Sequence, residues 1–170
     1  MIGKTGHRNE RQIVKTTRNS IVTVAGIVIL AGGMLAAQAT DPLIGTWKLN
    51  AAKSKGSTAK SGTTTIEKDG EGVKLSAEMV PAEGPAYKWS VSGKFDGKDN
   101  PVTGNSPYGD AVAIERVDAH TFHLTSKRSG KVSAKQTIVV AADGKSRTTT
   151  TKGTDAKGQP IDSVAFYEKQ

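Results

Sequence analysis

From residue 45 onward the chain is written in short segments whose apolar and polar residues alternate. Gly45, Trp47 and Leu49 alternate with Thr46, Lys48 and Asn50, the period of a half-buried strand. The next stretch, Ala51–Gly62, is rich in Lys, Ser and Gly and has no apolar period, so it is expected to be an exposed loop. Thr63–Lys68 is β-branched and polar, and Asp69-Gly70-Glu71-Gly72 turns it into Val73–Val80. There Val73, Leu75, Ala77 and Met79 share one face, which predicts an antiparallel hairpin.

The clearest alternation sets Tyr87, Trp89, Val91 and Phe95 against Lys88, Ser90, Ser92 and Lys94. Asp99–Thr103 follows a turn at Asp96-Gly97-Lys98, and Gly104–Gly109 has the composition of a loop. Further strands are expected over Ala111–Val117, Thr121–Lys127, Lys131–Ala141, Lys145–Lys152 and Ile161–Glu168, all joined by short turn-forming connections. No stretch after residue 40 carries a 3.6-residue stripe. Strands at spacings of about ten residues predict one all-β domain, a single antiparallel up-and-down β-barrel of about eight to ten strands. A β-sandwich is the alternative architecture.

The first 39 residues are written differently. Residues 1–18 are polar and basic, Ile21–Leu35 is an uncharged apolar run, and Ala37-Gln38-Ala39 supplies small residues around a cleavage point. This is the grammar of a secretory signal peptide cut after Ala39. The apolar run falls short of the ~20 residues that span a bilayer comfortably, although an uncleaved anchor is the alternative. The division expected is therefore a signal peptide over 1–39 and a barrel over 40–170, in a protein that is secreted or periplasmic.

That division alters the charge argument. The chain holds 24 Lys and Arg against 16 Asp and Glu, a formal +8, which taken whole suggests nucleic acid. Lys4, Arg8, Arg11, Lys15, Arg18 and Glu10 all belong to the leader, however, so the remainder nets only +4. Its lysines are scattered among Ser, Thr and Gly rather than clustered with aromatics, which argues against a nucleic-acid partner. There is no cysteine, which excludes disulfides, thiolate metal sites and cysteine nucleophiles.

Gly45-x-Trp47, extended as Gly-Thr-Trp-Lys-Leu, resembles the opening-strand signature of the lipocalin and fatty-acid-binding-protein group. Asp96-Gly97-Lys98-Asp99-x-Pro101-Val102-Thr103-Gly104, Lys152-Gly153-Thr154 and Tyr167-Glu168-Lys169 are similar to a set of uncharacterised secreted bacterial proteins assigned as lipocalin-like. The resemblance implies a structural Trp47 plugging one end of the barrel, and it offers Arg147 as an arginine stacked on that ring. Exposure statistics favour a solvated strand end for Arg147 instead. The chain departs from fatty-acid-binding proteins in two places. Ala51–Gly62 is too short for their helical lid, and their Arg-x-Tyr anion clamp is matched here by Ala165-x-Tyr167.

A barrel that carries an apolar ligand needs an apolar interior and a few fixed polar groups. Tyr87, Trp89, Val91 and Phe95, joined by Phe122, Met79, Leu124, Ile138 and Val140, are the expected lining. Arg116 alternates in phase with Val112 and Ile114, Gln136 with Ala134 and Ile138, and Tyr167 with Ala165. Polar groups in an apolar register are candidates for a head-group contact, because their burial is costly unless paired. A barrel packed solid by its side chains is the alternative.

Metal and enzyme chemistry find little support. His120 and His123 are three apart, so in a strand they point to opposite faces. No Gly-x-Ser-x-Gly elbow, phosphate-cradling loop or His-Glu-x-x-His helix is written in the chain, and Glu115 with Asp118 falls at a hairpin end. The expectation is a non-enzymatic barrel that binds a small apolar or amphipathic ligand. It is a monomer, without cofactor, metal or membrane span once the leader is removed. A protein- or glycan-interaction domain with a filled core, using Ala51–Gly62 and Gly104–Gly109, is the alternative.

Overall fold

The alternating segments become eleven strands, all paired antiparallel in one sheet that curls into a nearly closed barrel. The computed structural model describes residues 41–170, and the leader expected over 1–39 lies outside the described residues. The strands are β1 (Gly45–Lys55), β2 (Ala59–Asp69), β3 (Gly72–Pro81), β4 (Tyr87–Gly93), β5 (Asp96–Pro101), β6 (Thr103–Gly104), β7 (Ala111–Arg116), β8 (Thr121–Arg128), β9 (Lys131–Val140), β10 (Ser146–Thr154) and β11 (Pro160–Lys169). The order around the wall is β5-β7-β8-β9-β10-β11-β1-β2-β3-β4-β6.

Two features turn this meander into a cylinder rather than a sandwich. First, β11 lies beside β1, with Trp47 opposite Lys169 and Leu49 opposite Tyr167, so the last strand joins the first. Second, β5 and β6 are separated only by Val102. The segment leaves β7, where Pro101 pairs with Ala111, and arrives on β4, where Thr103 pairs with Ser90. One short stretch of chain thereby spans the two remaining edges. Closure of this kind removes the exposed edges that an open sheet would present.

Local sequence explains the tight corners. Between β8 and β9 the chain turns in two residues, Ser129 and Gly130, both at positive φ (51° and 76°). This is the mirror-image turn whose twist matches the flanking strands. Ser129 N donates to the Asp110 carboxylate at 2.9 Å, which fixes that corner.

Ala51–Gly62, expected as a loop, is mostly strand: β1 runs on to Lys55 and β2 begins at Ala59. Its side chains are largely exposed on both faces, so there is no apolar period to detect, and backbone pairing holds it instead. A bulge separates the Asn50–Phe166 pair from the Lys55–Val164 pair. Within it Ser54 Oγ donates to Asn50 O at 2.8 Å and accepts from Phe166 N at 3.0 Å, standing in for a missing ladder partner. β1 and β2 themselves pair only between Gly45–Lys48 and Thr63–Ile66 and then part.

The core follows the alternation. Val73, Leu75, Ala77 and Met79 on β3 and Trp89 and Val91 on β4 are buried. Ile66, Val112, Ile114, Phe122, Leu124, Ile138 and Val140 pack with them. On β10 the inward face is polar: Arg147, Thr149 and Thr151 are all buried.

Candidate functional site

Antiparallel connectivity puts the turns after β2, β4, β7 and β9 at one end of the barrel with residues 41–44, and the turns after β1, β3, β6, β8 and β10 at the other. The two ends are built differently. At the first, Trp47 is fully buried, and its Nε1 donates to Leu43 O at 3.0 Å. Lys169 Nζ sits 5.0 Å from the indole centroid and donates to Pro42 O at 3.2 Å. Arg116 lies 4.3 Å from the ring of Phe95 and 4.5 Å from that of Phe122, and it ion-pairs with Asp41. Asp41 also caps Leu43 N at 3.0 Å. Rings, stacked cations and the 41–44 turn plug this end.

The other end opens on a cavity of about 400 Å³. Leu75, Ala77 and Met79 of β3 with Tyr87 and Trp89 of β4 form an apolar stretch of its wall. Gln136 of β9, Thr149 and Thr151 of β10 and Ser163 of β11 form a stretch rich in hydroxyls. Gln136 Nε2 donates to Thr151 Oγ1 at 3.3 Å. All three tyrosines of the chain, Tyr87, Tyr108 and Tyr167, line this one space.

Burial raises the Tyr108 phenol well above its ordinary value, with Tyr87 and Tyr167 adding to the rise. Burial first, and Tyr167 second, also raise Tyr87. Tyr108 enters from the loop between β6 and β7, where its backbone carbonyl accepts from the Ser133 hydroxyl. Arg128 ties the rim together: Nη2 donates to Pro107 O at 2.8 Å and Nη1 to Asp155 O at 2.9 Å.

Arg147 stands between the two ends. It lines the cavity, and its guanidinium lies 4.4 Å from the Tyr167 ring and 5.3 Å from the Trp47 ring. It is 3% exposed, so the solvated strand end favoured from sequence is overturned. Because β10 is sewn to β11 with Arg147 opposite Tyr167, the side chain turns inward onto the plug. Burial lowers its pKa to about 10, which leaves it charged at neutral pH.

The residues singled out in the sequence thus divide. Tyr87, Trp89, Gln136 and Tyr167 line the cavity. Phe95, Phe122 and Arg116 gather at the plugged end, and Val91 packs in the core. Arg147, Thr149, Thr151 and Tyr108 were not expected as lining. For Thr149 and Thr151 the sequence held no signal, since they stand in a run of four threonines. No family model and no curated protein matches the chain. What stands is the architecture: a nearly closed, eleven-stranded antiparallel β-barrel with one plugged and one open end.

Proposed function

We propose that this barrel is an exported, non-enzymatic binding protein that carries a small amphipathic molecule in the cavity at its open end. The observation that carries the proposal is that cavity, about 400 Å³ with an apolar stretch that includes Trp89 and a hydroxyl-bearing one. This is within the ~300–1,000 Å³ common for small-molecule sites, and it favours a bound molecule over a filled core. The leader grammar supports export, and Gly45-x-Trp47 supports a kinship with lipocalins and fatty-acid-binding proteins.

Uptake of the neutral fluorophore N-phenyl-1-naphthylamine tests the binding role. Wild type is expected to take up one equivalent, and Trp89→Ala to bind about tenfold more weakly, the equivalent of ~1.4 kcal/mol of lost apolar contact. Unchanged affinity in a folded variant would remove Trp89 from the site. Amino-terminal sequencing of protein recovered from its own host tests export, with Thr40 expected as the first residue.

A further inference from the structure

We propose that the ligand of this cavity is a compact organic anion on a flat, ring-bearing body, its negative group seated against Arg147; the inference rests on the binding role proposed above. The described chain has three arginines, and two are held by a carboxylate or by backbone carbonyls. Arg116 has Asp41, and Arg128 has the carbonyls of Pro107 and Asp155. Arg147 is the most deeply buried of the three and has no carboxylate within ion-pair distance among the described residues. Among the described residues its Nε is without a partner, and the side-chain hydrogen bond it makes, Nη1 to Thr149 Oγ1, is long at 3.5 Å.

A buried guanidinium in that position is costly until a counter-charge arrives. The acids around the opening do not supply one. Asp162 engages Lys152 at 2.9 Å, and Asp155 accepts the amides of Lys157 and Gln159 at 2.8 Å. Burial keeps the Tyr87 and Tyr108 phenols neutral at physiological pH. The space beside Arg147 therefore calls for a negative group from outside the chain.

The lining describes the rest of the ligand. Trp89 and three tyrosines present ring surface, which prefers offset or edge-on partners that are themselves flat. Gln136, Thr149, Thr151 and Ser163 add donors and acceptors. An alkyl chain would cover this second group without hydrogen-bonding to it, a penalty that a ring carrying polar substituents avoids.

The test compares 8-anilinonaphthalene-1-sulfonate with N-phenyl-1-naphthylamine, which share one ring system and differ in the sulfonate. Wild type is expected to bind the anion about tenfold or more tightly than the neutral compound, the scale of one charged hydrogen bond. Arg147→Met is expected to abolish that preference, weakening the anion far more than the neutral compound. Because Arg147 also stacks on Trp47, the wild-type comparison keeps the anion assignment open to refutation even if the variant does not fold, and the folded variant locates the anion.

Equal binding of the two by wild type overturns the anion assignment and leaves the cavity role standing. Binding of neither overturns both. A preference that survives in folded Arg147→Met places the anion elsewhere and overturns the assignment. Dodecanoate displacing the sulfonate more strongly than 1-naphthoate does would overturn the ring-bearing body.

Discussion

The two tryptophans occupy similar strand positions and do different work. Trp47 has every face covered, by Arg147, by Lys169 and by the 41–44 turn, and its one polar atom is bonded to Leu43. Trp89 presents a face to an opening that the chain does not fill. The same contrast holds for the arginines, since Arg116 is paired at the plugged end and Arg147 is not paired within the cavity. A cation with its carboxylate in place marks the structural end, and one without a counter-charge beside open space marks a site with something still to receive.

The sharpest way to break this comparison is to remove each ring in turn. Trp47→Ala is expected to cost about 3–5 kcal/mol, as large core truncations do, read as a lowered urea midpoint. Trp89→Ala should lower that midpoint by less while weakening probe uptake. A Trp89 variant as unstable as the Trp47 one would erase the distinction between the two ends.

A smaller effect is expected where Arg116 meets Asp41. Asp41→Asn should cost about 1 kcal/mol or less, since both partners are partly exposed, with no change in probe affinity. Arg128→Ala should leave the urea midpoint nearly unmoved. It frees the loops at 105–110 and 155–159, and the measurement is faster proteolytic nicking in those segments.

The smallest effect expected is that of acid on the exposed carboxylates. The backbone amide of His120 and, after it, the Thr121 side chain hold Asp118 below its ordinary value, and Lys53 followed by Asn50 does the same for Glu168. A folded pKa below the unfolded one means stability that is present above the ordinary carboxylate range and lost as pH falls through the lowered values. The urea midpoint should decline in that acid window, and Asp118→Asn should flatten the decline.

Much of the architecture was legible because alternation has contrast wherever apolar residues meet charged ones. β3 and β4 emerge from sequence with the correct faces for that reason. β10 does not, because Thr148–Thr151 are four threonines in succession, and identical residues carry no phase. The burial of Arg147 follows from pairing with β11 and from the presence of Trp47 beneath it, contacts between residues far apart in sequence. Tyr108 sits in a segment whose composition says only loop, and its place in the cavity depends on Ser133 and on the Arg128 tie. Candidate contacts such as Arg116 and Phe122 had the correct inward phase but lie at the plugged end, since periodicity gives the face of a strand and not the depth along the barrel.

The ladder between β1 and β11 has a consequence for how the domain is made. Trp47 finds Lys169 across almost the whole domain, so one flank of the opening strand has no neighbour until the final strand exists. A chain emerging N-terminus first, from ribosome or translocation channel, holds that flank bare throughout synthesis. Contacts so distant in sequence also slow folding. For this barrel the interval between emergence and completion is the period in which a chaperone has something to hold.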